Sequence, residues 1–177
     1  SRKPMPRSAP TIYNLSIIGS DAAPGGALQN QKGMHLRRGT AGRIYNALVT
    51  AEADFPIDID GASTVAQTTA LTLFVKNSIY FDNGNQATWQ DATDNDGGLV
   101  ERNFFLTAEA TNREADPLMT AALSQTAPVF KPAAGSPALV PANAATPPSD
   151  GFFDATATFV GAVGATDWTT GWTAFPA

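Results

Sequence analysis

The chain has no cysteine, which excludes disulfide stapling and thiolate metal sites. That absence leaves the compartment open, because a secreted or periplasmic bacterial chain can lack cysteine altogether. Charge is also scarce. Only 15 % of the 177 residues are Asp, Glu, Lys or Arg, against about 25 % in an average globular chain. Thr, Asn, Ser and Gln must therefore cover much of the exterior. The net charge is -5, which argues against nucleic acid as a partner, since phosphate contacts need clustered cations. No stretch approaches the roughly 18 apolar residues of a membrane span. The single histidine, His35, has no Ser or Cys nucleophile motif near it, so a catalytic triad is not expected. There is no initiator Met: the chain opens Ser1-Arg2-Lys3-Pro4, as expected of a product of signal removal or precursor cleavage.

What is abundant is punctuation and repetition. With 15 Gly and 13 Pro, the chain favours many short strands over helices. One phrase recurs: Ile12-Tyr13-Asn14-Leu15-Ser16-Ile17, then Ile44-Tyr45-Asn46-Ala47-Leu48-Val49, then Val75-Lys76-Asn77-Ser78-Ile79-Tyr80. Asn14 to Asn46 is 32 residues and Asn46 to Asn77 is 31. A fixed period of this size signals a solenoid.

The rest of the pattern fits around these phrases. Residues 1–10 read as an extended, Pro-rich basic lead-in, and 11–18 as the first strand. A Gly-rich loop covers 19–33. Residues 34–38 alternate, with Met34 and Leu36 on one face and His35 and Arg37 on the other. The cycle then repeats, with strands at 43–50 and 57–60 around a loop at 51–56, and it opens a third time at 71–81. A fourth strand is expected at 99–107, where Asn103 follows Asn77 by 26 residues. Residues 82–98 read as a polar loop. Residues 108–150 are rich in Ala, Pro and Thr, and are expected to pack outside the coils. The division is rungs over 1–107, then a wrap and aromatic cap over 108–177, as one folded unit.

A coil of about 31 residues cannot bury its own apolar face, whereas stacking coils about 4.8 Å apart buries it and pairs every strand. Ile12, Leu15 and Ile17 would lie over Ile44, Ala47 and Val49. Asn14, Asn46 and Asn77 would form a ladder of amides bonded along the axis. The rungs, followed by Asp116-Pro117-Leu118 and Pro132-Ala133-Ala134-Gly135-Ser136-Pro137-Ala138, resemble the end of a right-handed parallel β-helix of the pectate-lyase-like superfamily. The tail is similar to the C-terminal segment of a largely uncharacterised group of secreted bacterial β-helix proteins: Gly151-Phe152-Phe153-Asp154, Val160-Gly161-Ala162-Val163-Gly164 and Asp167-Trp168-Thr169-Thr170-Gly171-Trp172-Thr173. The resemblance implies an all-β fold, a secreted or cell-surface bacterial location, and a chain that is the C-terminal part of a longer one.

Enzymes of that superfamily cluster Asp, Lys or Arg on the outer face of one sheet. Asp58 and Asp60 are the local match, at i and i+2 and about 7 Å apart, a separation that suits an inverting carboxylate pair. If Leu36 stacks on Ile59, however, His35 lies beside Asp58 and Arg37 beside Asp60, an ordinary cross-strand charge pairing. That structural reading is the stronger one. Asp91, Asp94 and Asp96 before Gly97 resemble a Ca²⁺ loop, but the spacing fails. Counted back from Gly97, positions one, three and five are Ala92, Asp94 and Asp96, with Asn103 twelfth. A solvated polar loop is the preferred reading. Lys32, Arg37, Arg38 and Arg43 form the internal basic cluster, suited to an anionic glycan or to salt bridges with Glu52, Asp54, Asp58 and Asp60. Trp168 and Trp172 would stack on sugars, or cap the last coil with Phe159 and Phe175.

No catalytic set and no cofactor site stand out. The leading function is a non-enzymatic extracellular or cell-surface structural protein, self-associating through an open coil end or docking on another surface protein. A carbohydrate-binding or polysaccharide-cleaving module, using Arg37, Arg38, Asp58 and Asp60, is the alternative. An accessory subunit of a larger surface complex, covered around Ile12 and Met34, is a third reading.

Overall fold

Three asparagines set the shape. Asn14, Asn46 and Asn77 have φ of 56°, 57° and 55°, in the left-handed region that costs most residues about 1–2 kcal/mol and Asn less. Each bends an extended run of β-branched and aromatic residues at the same place in the repeat. The computed structural model describes residues 7–20, 32–84, 87–171 and 173–174.

The strands are β1 (Thr11–Ile18), β2 (Lys32–Arg37), β3 (Gly42–Thr50), β4 (Phe55–Asp60), β5 (Leu73–Lys76), β6 (Ile79–Phe81) and β7 (Arg113–Glu114). All named pairings are parallel. One sheet runs β1-β3-β6-β7 with β5 also on β3, and the other is β2-β4. The chain therefore alternates between two sheets, and returns to the larger one after a near-constant number of residues. Ile12 pairs with Ile44, Leu15 with Ala47 and Ile17 with Val49, and Ile44 pairs in turn with Val75. This is the stacking that the repeat predicts.

The regular structure is mostly strand, as expected, but not strand alone. Helix α1 (Ala62–Thr69) joins β4 to β5, and α2 (Glu101–Asn103) continues into a π turn over Phe104–Ala108. The strand expected at 99–107 is thus helical, and Asn103 is not a fourth bend. The fourth pairing comes later, Ile79 with Arg113, after a longer excursion. Phe105, fully buried, is inserted into the core from this turn. Asn112 takes over the bridging role, accepting from Ser78 N–H at 3.0 Å and donating to Val75 C=O at 2.6 Å.

The core is one cluster between the sheets: Met34, Ile44, Ala47, Val49, Ile57, Ile59, Leu73, Val75, Tyr80, Trp89 and Phe105. A second, smaller cluster joins Leu48 and Ile79, on the opposite face of their strands, to Ala138 and Val160. Residues 115–171 hold no further strand, only turns, bends, an isolated bridge and two short 3-10 helices (Pro137–Leu139 and Pro141–Asn143), and this segment covers the outward apolar column. Fully burying each such aliphatic side chain contributes about 1.5–3 kcal/mol.

The wrap also decides where the asparagine amides go. Asn14 Nδ2 donates to the carbonyls of Ala157 (3.2 Å) and Phe159 (2.6 Å). Asn46 Nδ2 donates to Ala145 C=O and its Oδ1 accepts from Ala145 N–H, both at 2.8 Å. Asn77 Nδ2 donates to Asn143 C=O at 3.3 Å. The three occupy equivalent bends, yet their side chains fasten the wrap instead of bonding one another as a ladder. A left-handed bend points the amide out of the stack, where the wrap's backbone needs partners.

Candidate functional site

The outer face of the β2–β4 sheet gathers most of the charged side chains near the core. Met34 pairs with Ile57 and Leu36 with Ile59, both pairs facing inward, so the alternation turns His35 and Asp58, and Arg37 and Asp60, to the other face. These are the cross-strand neighbours read from the sequence. Arg37 Nε lies 3.0 Å from Asp60 Oδ2. His35 Nε2 lies between the two carboxylates, 3.4 Å from Asp58 Oδ2 and 3.5 Å from Asp60 Oδ2.

Asp58 is not the open, outward carboxylate expected of a catalytic candidate. It is fully buried, because the loop over 87–98 folds onto it. Lys32 Nζ bridges sheet and loop, 2.6 Å from Asp58 Oδ2 and 2.9 Å from Asp91 Oδ2, with its charge also 5.6 Å from the Phe55 ring centroid. Burial alone would lower the Lys32 pKa, but its hydrogen bonds to Asp58 and Asp91, with their charges, raise it above the usual lysine range. Asp91 is pulled down to about 2 by the Thr93 hydroxyl, then by Lys32 and the Thr93 N–H. Glu101 lies under the same sheet. Its Oε1 accepts from Ile59 N–H at 3.3 Å, and burial pushes its carboxyl up to about 8.

Of the remaining candidates, Asp94 joins the cluster beside Asp58, whereas Asp96 Oδ1 accepts from Gly98 N–H at 2.8 Å. Among the described residues no three His, Asp or Glu side chains converge to hold a metal ion. Arg38 stands in an exposed turn with φ of 59°, and Arg43 projects from β3, so neither belongs to the cluster. Met34, expected to lie under a partner, is already buried at 6 % exposure. Trp168 is 51 % exposed and donates from Nε1 to Ala162 C=O at 2.7 Å, while Trp172 lies outside the described residues. Chemically, the cluster is a lysine shared by two carboxylates, with His35 and Arg37 at its rim.

A profile described as a pectate-lyase like beta helix domain matches residues 1–173. The chain belongs to this family. The match spans both sheets, the loop over 87–98 and the wrap. Neither the curated proteins nor the solved structures include a match. Membership in the pectate-lyase-like β-helix family accounts for parallel strands that alternate between sheets. It assigns no chemistry, because a fold hosts many functions. No helix among the described residues is long and apolar enough to cross a membrane.

Sequence reasoning placed Lys32 among the cations set to pair with Asp58, as the structure shows, but missed its second bond to Asp91, Asp94 as the neighbour of Asp58, and Glu101 as a buried acid. The acidic composition of 82–98 was the one available signal.

Proposed function

We propose that this chain is a non-catalytic assembly module of a bacterial extracellular or cell-surface protein, and that it associates with a second copy through the outer edge of β1. The two sheets are read as walls of a right-handed solenoid, the hand that parallel crossovers adopt almost without exception. One observation carries the proposal. Among the described residues no strand pairs with the outer edge of β1, and Ile12, Leu15 and Ile17 are only half-buried. Their equivalents one circuit on, Ile44, Ala47 and Val49, are 6 %, 0 % and 0 % exposed.

Natural edges are commonly blunted by charge or proline, yet β1 (TIYNLSII) has neither. The far side of the stack is different. There α2, the π turn and a two-residue β7 follow the last long strand, with Arg102 ion-paired to Glu114. An edge at one side only favours β1 against β1 about a two-fold axis over an open filament.

Light scattering coupled to size exclusion over a wide concentration range tests this. A concentration-dependent dimer that Leu15→Lys converts to monomer is expected. A chain monomeric at every concentration overturns it.

A second reading is glycan binding or cleavage at the rim of the β2–β4 cluster, favoured by the partial exposure of His35 (33 %) and Arg37 (48 %). It predicts that Arg37→Ala or Asp60→Asn abolishes glycan binding while the fold persists. The burial of Asp58 and its bond to Lys32 weigh against it.

A further inference from the structure

The stretch 91–96 is held against the β2–β4 sheet although both carry acids: Asp91, Asp94 and Asp96 on the loop, Asp58 and Asp60 on β4. Four carboxylate oxygens in this region, Asp58 Oδ1, Asp94 Oδ2, Asp96 Oδ2 and Glu101 Oε2, are buried without a hydrogen-bond partner. A carboxylate oxygen only accepts, so two such groups packed together repel and lack a donor. Among the described residues no group of three acidic or histidine side chains is placed to hold a metal ion. Lys32 is engaged with Oδ2 of Asp58 and Oδ2 of Asp91. A proton shared between two of the carboxylates supplies the missing donor.

We propose that Asp94 carries a proton and donates it to Asp58, and that this shared proton latches the 92–94 turn onto the sheet and releases it as the pH rises. On release the Asp94 O–H bond breaks, the proton passes to water, and two facing carboxylates replace a hydrogen-bonded pair.

The surroundings favour this role for Asp94. Burial, then the hydrogen bond with Asp58 and the charge of Asp58, push its carboxyl up to about 7, with Lys32 opposing and Asp91 adding to the rise. The facing groups are Lys32 and His35 from β2, Asp58 from β4, Asp91 within the loop, and Glu101 from α2, whose charged neighbours are Asp96 and Asp58. Asp58 is committed on its other oxygen to Lys32. The turn itself is light: Thr93 N–H and its hydroxyl bond only to Asp91 Oδ1, and Asp94 N–H bonds to Asp91 C=O. Trp89, which is fully buried, and Asp91, whose Oδ2 lies 2.9 Å from Lys32 Nζ, hold one side of the turn. On the other side Asn95 C=O accepts from Ala62 N–H at 2.7 Å. The stretch free to lift is Ala92 to Asp94.

The test is a carbon-13 NMR titration of the aspartate carboxyls, with the Asp94 signal assigned by its loss in Asp94→Asn. The expected result is an Asp94 midpoint near 7, with the amides of Ala92 to Asp94 shifting at the same midpoint. Exchange of those amides, corrected for intrinsic pH dependence, should rise at least about tenfold between about pH 5 and about pH 8.5. Asp94→Asn, whose amide still donates to Asp58, should keep the turn closed across that range. An Asp94 midpoint near 4, unmoved amides, or an unchanged pH response in Asp94→Asn overturns the proposal. The titration of the unaltered chain decides the matter even if the variant does not fold.

Discussion

Lys32 and Asp58 form a buried ion pair between neighbouring parallel strands, 2.6 Å from Nζ to Oδ2, with the lysine side chain 10 % exposed and the aspartate fully enclosed. The pair holds the β2–β4 sheet and, through Asp91, the loop above it. Removing one partner of such a pair strands the other charge away from water.

Lys32→Ala is therefore expected to destabilise the chain by about 3 kcal/mol, the low end for breaking a buried pair, because Asp58 has His35 nearby as a substitute. Urea unfolding monitored by Trp89 fluorescence measures it. A loss under about 1 kcal/mol, the range of exposed pairs, would mean the bridge is decorative.

Stability should peak at mildly acidic pH. Asp91 is held down at about 2, so its contribution is present above the unfolded value near 4 and is lost as pH falls toward 2. Glu101 and Glu109 are raised to about 8 and about 7 by burial. The folded chain keeps their protons while the unfolded chain releases them near 4.5. Stability therefore falls as pH climbs from about 4.5 to about 8. Melting temperatures across pH should show this slope, and Glu101→Gln should flatten its alkaline part. A melting temperature that rises from pH 5 to 8 contradicts the scheme.

Asn46 combines a left-handed backbone with two reciprocal bonds to Ala145. Asn46→Gly keeps the backbone and loses the bonds, whereas Asn46→Ala loses both. We expect Asn46→Ala to be the worse by about 1 kcal/mol, the cost of the left-handed region for a residue with a Cβ. Equal melting of the two variants would remove backbone strain as the reason for asparagine at this bend.

Gly84 meets Ala53 at the next corner. A Cβ built on it would lie 1.8 Å from Ala53 O, a backbone atom that cannot swing aside. Gly84→Ala should cost about 1–3 kcal/mol in denaturant midpoints, as overpacking does. A neutral result would show that this corner adapts freely.

The strand register was legible because three asparagines recur at a 31–32-residue interval, each two positions after a β-branched residue (Ile12, Ile44 and Val75), and stacking then fixes which residues meet. Alternation in MHLRR and IDID gave the pairs His35–Asp58 and Arg37–Asp60 for the same reason. Helix α1 was not visible, because ASTVAQTT lacks a clear apolar stripe and a side-chain cap. The fourth strand was misplaced because Phe104 and Phe105 look like strand residues but plug the core from a helical turn. Lys32, Asp91 and Asp94 meet only when a polar loop folds back across dozens of residues, and no local periodicity encodes that closure. The amides of Asn14, Asn46 and Asn77 were misdirected because their partners are irregular backbone far along the chain.

Those distant partners impose an order on how the molecule is made. Asn14 is fastened to Phe159 and Ser16 to Ala162, contacts that span 145 and 146 residues. Beyond its pairing with β3, strand β1 is not fastened until the segment around 159–162 has been synthesised. Contacts of such long range slow folding and keep early strands exposed meanwhile. The segment around 145–162 acts as the clasp on β1 and β3, so a chain interrupted before it would hold both strands unfastened and prone to mispairing.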